Sequence, residues 1–211
     1  FVPDADIVDV ILVVEPGWRV HALEAADATV DVVETADTTR RLCTVEFAPS
    51  AAGTAPSTLD ADAAALWLDR VFVCAAAELV GTARRLFDMA LAYAKERVQF
   101  DRPIGSFQAI QHKLADMSLA LERSTAAVHY GAMTVDGEID PGSRARAAHT
   151  AKAAAGTAAQ RILKDSIQIH GGIGYTWEHD LHLYLRRATV SATQFGTTTW
   201  HHDRIADLLF L

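Results

Sequence analysis

The stretch AKERVQFDRPIGSFQAIQHKLADM, residues 94–117, decides the fold because it places a turn between two helical patterns. The first pattern ends near Arg97, Pro103 and Gly105 form the turn, and the next helix begins at about Phe107. A helical hairpin does not require the polar residues that gather around this turn, which are Arg97, Gln99, Arg102, Gln108 and Gln111. A guanidinium and amides would suit an anionic diphosphate and its neighbouring hydroxyls. A solvated polar loop explains the same residues equally well on chemistry alone.

Apolar residues recur at helical spacing from about residue 61 to the end of the chain. Two buried stripes are predicted, one at Leu79, Ala83, Leu86, Ala90 and Tyr93 and the other at Ile110, Leu114, Met117, Leu121 and Val128. Asp140 and Pro141 are typical of the N-cap and first turn of an alanine-rich helix that runs to His170. A further helix is predicted over 177–192 and a short one from about Thr199. We therefore predict an antiparallel bundle of four main helices.

The beginning of the chain has a different pattern. Residues 1–50 are rich in Val and Thr at alternating positions, which predicts strands of a partial β-barrel domain. Residues 51–60 are small and include Gly53 and Pro56, which predicts a linker. The predicted fold class is thus α+β, with the helical-bundle domain over 61–211.

Composition excludes some classes of function. The net charge is -8, from 19 basic and 27 acidic residues, and no Lys/Arg stretch is dense enough to follow a phosphate backbone, so we expect no nucleic-acid partner. No apolar run reaches the roughly 20 residues of a membrane span. Cys43 and Cys74 are interpreted as reduced thiols with packing roles in a cytoplasmic protein.

A second motif, QIHGGIGYTWEHD at residues 168–180, contains three glycines where the alanine-rich helix ends. Gly171 is a candidate helix terminator, with Gly172 and Gly174 shaping the connection. Alternatively, the missing Cβ atoms allow backbone N–H groups to approach a phosphate or carbonyl oxygen of a ligand. Spacing alone leaves both interpretations open.

Histidines offer a rival interpretation as a metal site within the bundle. His179 and His182 lie three residues apart on a predicted helix, and His201 and His202 follow. Metal sites in bundles use paired Glu-x-x-His motifs, which this sequence lacks. We therefore predict no metal ligands.

Together, ERVQFDRPIGSFQAIQHKLADM and QIHGGIGYTWEHDLHLYLRRA resemble the C-terminal half of an acyl-CoA dehydrogenase. The resemblance extends from roughly Ala75 to Leu211. Residues 1–50 resemble the latter part of that family's middle β-domain, so we expect further residues before Phe1.

The resemblance implies an FAD at a subunit interface. Arg97 and the turn at Phe100 would meet the pyrophosphate of the neighbouring subunit's FAD, with Gln108 close by. The segment that would receive the ADP moiety comprises Gln168, Ile169, His170, Gly171 and Gly172. One departure from the family is Asp101, where glycine is usual, because a carboxylate near a diphosphate repels it unless it is paired.

The family's reaction also requires a catalytic base, which removes the α-proton of an acyl-CoA while the β-hydrogen leaves as hydride to the flavin. The resemblance places the usual glutamate at Phe195 and the alternative one at Val71, and neither residue accepts a proton. Asp69 and Gly196 match positions on the substrate side. Glu78 lies about two turns beyond Val71 and is a weak substitute.

These matches imply a subunit of an FAD-dependent acyl-CoA dehydrogenase that forms a trans-2-enoyl-CoA and has no catalytic base of its own. Its partner would be a homologous, competent subunit, as in heteromeric members from actinobacterial sterol breakdown, within a heterotetramer that passes electrons to an electron-transferring flavoprotein. The alternative is a scaffold subunit that stabilises a partner without binding FAD. The sequence does not identify the acyl group.

Overall fold

A computed structural model describes residues 1–48 and 57–210. The chain forms two compact units, Phe1–Ala65 and Leu66–Leu211. Of the predicted linker, residues 51–56 lie outside the described residues.

The first unit contains antiparallel strands. Its strands are β1 (Val2–Pro3), β2 (Val10–Glu15), β3 (Arg19–Glu24), β4 (Ala28–Val33), β5 (Leu42–Phe47) and β6 (Ser57–Thr58). They form two sheets, in the orders β1-β5-β4 and β2-β3-β6. Within the described residues the sheets do not close into a barrel. Strand β6, which pairs with β3, lies inside the segment predicted as a linker.

Alternation of side chains explains how this unit forms a core. Along β2, Ile11 and Val13 face inward while Leu12 is exposed, because successive side chains of a strand point to opposite faces. Leu23 and Cys43 complete the buried cluster with no exposed surface.

The second unit is helical. Its helices are α1 (Ala61–Glu96, whose first residues belong to the first unit), α2 (Gln108–Asp136), α3 (Pro141–His170), α4 (Leu181–Thr193) and α5 (Thr198–Phe210). Two short strands, β7 (Val98–Gln99) and β8 (Arg102–Pro103), connect α1 to α2. The predicted antiparallel arrangement of the bundle stays a prediction. None of the described helices is long and apolar enough to cross a membrane.

The start of α3 confirms the predicted cap. The side chain of Asp140 accepts a hydrogen bond from the backbone N–H of Ser143 at 2.9 Å, and Pro141 occupies the first turn. This bond lowers the pKa of Asp140 below its ordinary value. The alanine-rich face of α3, with Ala148, Ala151, Ala155, Ala158 and Ile162, is buried, and Ile162 has no exposed surface. Small residues along this helix allow its neighbours to approach closely.

The predicted start of α4 at Trp177 was wrong, because the helix begins at Leu181. The imidazole Nδ1 of His179 accepts the backbone N–H of Leu181 at 3.1 Å, which satisfies one of the unpaired donors at a helix start. Trp177 instead lies in a turn under the guanidinium of Arg186, 4.3 Å from the ring centroid.

Candidate functional site

The turn between α1 and α2 is a two-residue β-hairpin. Phe100 and Asp101 occupy its tip with φ of 53° and 61°, and positive φ at both central residues is the requirement of a type I′ turn. Asp tolerates this conformation better than most residues, whereas Phe does not. The side chain of Phe100 is 85% exposed, so the hairpin holds an aromatic ring in solvent at a conformational cost.

Close packing fixes the base of this hairpin. A Cβ atom at Gly105 would lie 2.8 Å from the carbonyl oxygen of Ala94, so only glycine fits. The backbone N–H of Ile104 donates to the carbonyl of Arg97 at 2.8 Å. The hairpin therefore leaves the end of α1 in a defined direction.

Arg97 and Gln108 are exposed at the two sides of the hairpin. In the described part of the chain, the guanidinium of Arg97 makes no hydrogen bond or ion pair with another side chain. Gln108 is the first residue of α2, and Phe107 before it provides no side-chain cap. The N–H of Ile110 already donates to the carbonyl of Phe107, which leaves the N–H groups of Gln108 and Ala109 for an acceptor, and the helix dipole favours an anion there.

The glycine motif lies where α3 ends. Gly171 has φ 63° and donates its N–H to the carbonyl of Ile167, as predicted for a helix terminator. A Cβ atom at Gly172 would meet no atom within 4 Å. Gly174, in contrast, is buried, and a Cβ there would lie 3.2 Å from the Cβ atom of His170. Of the three glycines, Gly172 is the one that neither the end of the helix nor close packing explains.

The residues before these glycines divide into exposed and buried positions. Gln168 is exposed, whereas Ile169 and His170 are buried at 4% and 3% exposure. His170 Nδ1 lies 2.8 Å from the carbonyl oxygen of Ser166, while its buried Nε2 has no hydrogen-bond partner among the residues that the structure describes. Burial lowers the pKa of His170. Gln168, Gly171 and Gly172 can therefore contact a ligand, while Ile169 and His170 support them from beneath.

An aromatic stack connects the two motifs. The ring of Tyr93, one helical turn before Arg97, lies on the ring of His170 with centroids 4.6 Å apart and planes inclined by 23°. The ends of α1 and α3 are therefore neighbours, and the exposed Arg97 and Gly172 belong to the same end of the bundle. A guanidinium, free helix N–H groups and an uncovered main chain are chemically suited to a nucleotide diphosphate.

A separate pocket contains both positions at which a catalytic base was expected. Its volume is about 310 Å³, and its lining residues are Trp67, Arg70, Val71, Cys74, Ala75, Glu78, Gln194 and Phe195. Val71 and Phe195 are apolar and cannot take a proton. Glu78 contributes the one carboxylate among these lining residues.

The carboxylate of Glu78 is already engaged. Its Oε1 accepts hydrogen bonds from the guanidinium of Arg187 at 3.0 Å and from the hydroxyl of Ser191 at 3.4 Å. These contacts tie the carboxylate to two side chains of α4. The sequence pattern did not place Glu78 in the pocket, although it is two helical turns from Val71 on the same face of α1.

Residues 194–197, the loop between α4 and α5, carry Phe195 into this pocket. Phe195 and Gly196 have φ of 59° and 109°. A Cβ atom at Gly196 would lie 2.6 Å from the ring of Trp200, so packing already requires glycine there. The predicted role of Gly196 toward substrate stays a prediction.

Asp69, the other residue predicted on the substrate side, is 4% exposed. Its Oδ2 accepts from Nε of Arg144 at 2.7 Å, which connects α1 to α3. A buried ion pair explains this carboxylate without a ligand, and Asp69 does not line the pocket.

The burial of three polar residues beneath the loop was not predicted from the sequence, namely that of His149, Lys152 and His201. Burial lowers the pKa of His149 and of Lys152. Burial, with help from His149 and Lys152, lowers the pKa of His201 to about 4. One signal was available for Lys152, which is four residues after Ala148 and three before Ala155 on the alanine-rich face of the helix.

Comparisons of the sequence and of the fold with known proteins agree with each other. The sequence profile of the acyl-CoA dehydrogenase C-terminal domain matches residues 63–210. The chain is 38% identical over 198 residues to the acyl-CoA dehydrogenase IpdE2 of Mycolicibacterium smegmatis, a match that covers 93% of this chain and 57% of that protein. The chain thus spans little more than half the length of this relative.

Two solved structures share the fold. Butyryl-CoA dehydrogenase from Megasphaera elsdenii has a TM-score of 0.85 at 23% identity, covering 100% of this chain and 58% of its own. The ChsE4-ChsE5 complex from Mycobacterium tuberculosis has a TM-score of 0.82 at 25% identity, covering 97% of this chain and 56% of the matched chain.

Proposed function

Because this chain belongs to the acyl-CoA dehydrogenase family, whose cofactor is FAD, we propose that it is one subunit of an enzyme that desaturates an acyl-CoA to a trans-2-enoyl-CoA. In this proposal it completes the FAD site of a homologous partner subunit and lacks the catalytic base. The observation that carries the proposal is that Val71 and Phe195, the two base positions, line one pocket and are both apolar.

The exposed end of the bundle fits the adenosine diphosphate part of FAD. The guanidinium of Arg97 would pair with the diphosphate, and the main chain at Gly171 and Gly172 would approach it without side-chain interference. Gln108 and the first N–H groups of α2 would donate to oxygens nearby. FAD supplies the hydride acceptor for the desaturation when it is bound.

In the pocket, this chain would shape the site without moving a proton. Phe195 and Val71 present apolar surface, which favours an acyl chain and excludes water. The α-proton would then go to a carboxylate of the partner subunit.

The assembly and its surroundings belong to the same proposal. A heterotetramer with a homologous subunit is supported by the fold shared with the ChsE4-ChsE5 complex, and an electron-transferring flavoprotein would be the acceptor. The free thiols of Cys43 and Cys74 support a reducing, cytoplasmic location. A fatty-acid or sterol-derived thioester is the proposed substrate class.

Co-purification with candidate homologous subunits tests the FAD part of the proposal. We expect the complex to contain FAD, the separate chain to contain none, and Arg97→Ala to remove the flavin absorbance from an otherwise intact complex. Arg123→Ala is the control. It removes an exposed guanidinium on α2, and its complex should retain FAD. A colourless complex, unaffected by Arg97→Ala, would favour the scaffold alternative.

A second candidate is an enzyme that uses Glu78 as its own base, which the position of Glu78 in the pocket favours. Glu78→Gln separates the two possibilities because it removes the carboxylate and keeps the shape. In the FAD-loaded complex we expect turnover of butyryl-CoA, or of whichever acyl-CoA the complex accepts, to change less than about tenfold, since a general base contributes roughly 100-fold or more. A loss of that size would make Glu78 the base.

A further inference from the structure

Lys152 is a buried lysine whose ammonium donates to three backbone carbonyl oxygens. It is 1% exposed, and Nζ donates to the carbonyl oxygens of Ser191, Ala192 and Gly196, each at 3.3 Å. No carboxylate in the described part of the chain pairs with it. The three donors of the ammonium therefore match three backbone acceptors.

Two of these acceptors are in the last turn of α4, where helix carbonyls lack partners within the helix and carry the negative end of the dipole. The third, Gly196, belongs to the loop that follows. Lys152 thus connects the end of α4 to the 194–197 loop, and the charge on Nζ is stabilised by dipoles where a carboxylate is absent.

A histidine pair holds the neighbouring carbonyl. His201 Nε2 lies 3.1 Å from the carbonyl oxygen of Phe195, and His201 Nδ1 lies 2.8 Å from His149 Nδ1. Since a carbonyl only accepts, His201 Nε2 carries the proton, and in the neutral ring its Nδ1 accepts from Nδ1–H of His149. The carbonyls of Phe195 and Gly196, the two positive-φ residues of the loop, are both held from the buried side.

We propose that Lys152 is a positioning residue whose ammonium, together with the His149–His201 pair, holds the 194–197 loop in the conformation that presents Phe195 to the pocket. An apolar side chain would fill the same space without the cost of burying a charge. The ammonium is therefore explained by the three carbonyls it binds. This role rests on the proposed function only in treating the pocket as an acyl site.

Hydrogen exchange of the loop amides tests the role directly. The N–H groups of Gln194 and Gly196 donate to the carbonyls of Val190 and Thr193, so their exchange reports the loop conformation. In Lys152→Met we expect these two amides to exchange at least about tenfold faster, because hydrogen bonds from a charged donor are lost. Lys152→Arg, which keeps the charge, should restore protection.

Lys164→Met is the matched control, because Lys164 is an exposed lysine on the same helix, and loop exchange should not change. Unaltered loop exchange in Lys152→Met would overturn the proposal. Equal acceleration throughout α3 would also overturn it, because that result indicates lost packing alone.

A test on the wild-type protein does not depend on whether a variant folds. Heteronuclear NMR should show slowly exchanging ammonium protons on Lys152, because all three are bonded and buried. Ammonium protons that exchange as fast as those of Lys164 would contradict the proposed bonds.

Butyryl-CoA binding to the FAD-loaded complex separates this role from the proposed function. Faster loop exchange with weaker butyryl-CoA binding in Lys152→Met supports both. If loop exchange is faster in Lys152→Met but neither the wild type nor any variant binds butyryl-CoA, the positioning role is supported. That result contradicts a butyryl-CoA site in this pocket.

Discussion

At Gly171 the backbone has φ 63° and ψ -138°, a conformation that residues with a Cβ atom rarely adopt. Gly172, its neighbour, has open space around the position of a Cβ atom. The first glycine is explained by the end of α3, and the second is explained only if something approaches the main chain. The two residues can therefore be separated by substitution.

For Gly172→Leu we expect a change in the free energy of unfolding below about 1 kcal/mol, because a Cβ atom at this position meets no atom within 4 Å. FAD affinity of the complex should fall at least about tenfold, since the side chain would occupy the approach to the main chain. Denaturant unfolding and flavin titration measure the two quantities.

Gly81→Leu is the control, since Gly81 on α1 is also open and belongs to neither motif. It should leave FAD affinity unchanged. If Gly172→Leu retains full FAD affinity, the main chain at this position does not contact the cofactor.

Asp101→Gly should stabilise the hairpin and strengthen FAD binding. Glycine adopts φ 61° without the steric cost that Asp bears, which is worth up to about 1 kcal/mol. The substitution also removes a negative charge beside the proposed diphosphate site. Thermal unfolding and flavin titration check both effects, and weaker FAD binding would mean that the carboxylate of Asp101 makes a favourable contact.

At the residue scale, the motif residues were easier to predict from the sequence than the buried polar residues. The exposed Arg97 and the termination of α3 at Gly171 follow from local signals, namely a turn and a left-handed glycine. Lys152 lies among alanines on a helix, and only its acceptors on α4 and the following loop explain it. Such long-range hydrogen bonds have no local signature.

At the scale of elements, the contact between α3 and α5 predicts a pH effect on stability. The pKa of His201 is lowered to about 4 by burial and by His149 and Lys152, whereas an unfolded histidine titrates near 6.5. The unfolded chain therefore binds this proton more readily, and stability falls as the pH decreases from about 6.5 to 4. The loss attributable to His201 is on the order of 3 kcal/mol.

Denaturant unfolding at several pH values measures this loss. In His201→Gln the amide can still donate to the carbonyl of Phe195, and the slope of stability against pH should become shallower in that range. Equal slopes for the variant and the wild type would show that His201 does not contribute.

The ion pair between Asp69 on α1 and Arg144 on α3 gives a second prediction at this scale. Because both side chains are largely buried, Asp69→Ala leaves an unpaired guanidinium and should destabilise the protein by about 3 kcal/mol. Asp69→Ala with Arg144→Leu should recover part of this loss. Unchanged stability with a loss of acyl-CoA binding would instead support the substrate role implied by the family resemblance.

Helix periods and caps predicted α3 closely, since Asp140 and the apolar stripe are local features. The start of α4 was predicted four residues too early, at Trp177 instead of Leu181. The choice of His179 as the acceptor for the first N–H depends on side-chain geometry. A helix start with a standard side-chain cap is therefore more predictable from sequence than one without it.

At the scale of the whole molecule, the helical unit carries two features with different chemistry. One end of the bundle exposes Arg97, Gln108 and Gly172 in an arrangement that suits a diphosphate. The pocket at Val71 and Phe195 is apolar at both base positions. This combination is what we would expect if the chain completes the FAD site of a partner subunit, as proposed.

The structure of the assembled complex with FAD and an acyl-CoA, determined by cryo-electron microscopy, tests this account most directly. We predict that the diphosphate lies between Arg97 and the main chain at Gly172, and that the carboxylate beside the substrate α-carbon belongs to the partner subunit. A diphosphate bound elsewhere, or Glu78 of this chain beside that carbon, would contradict it.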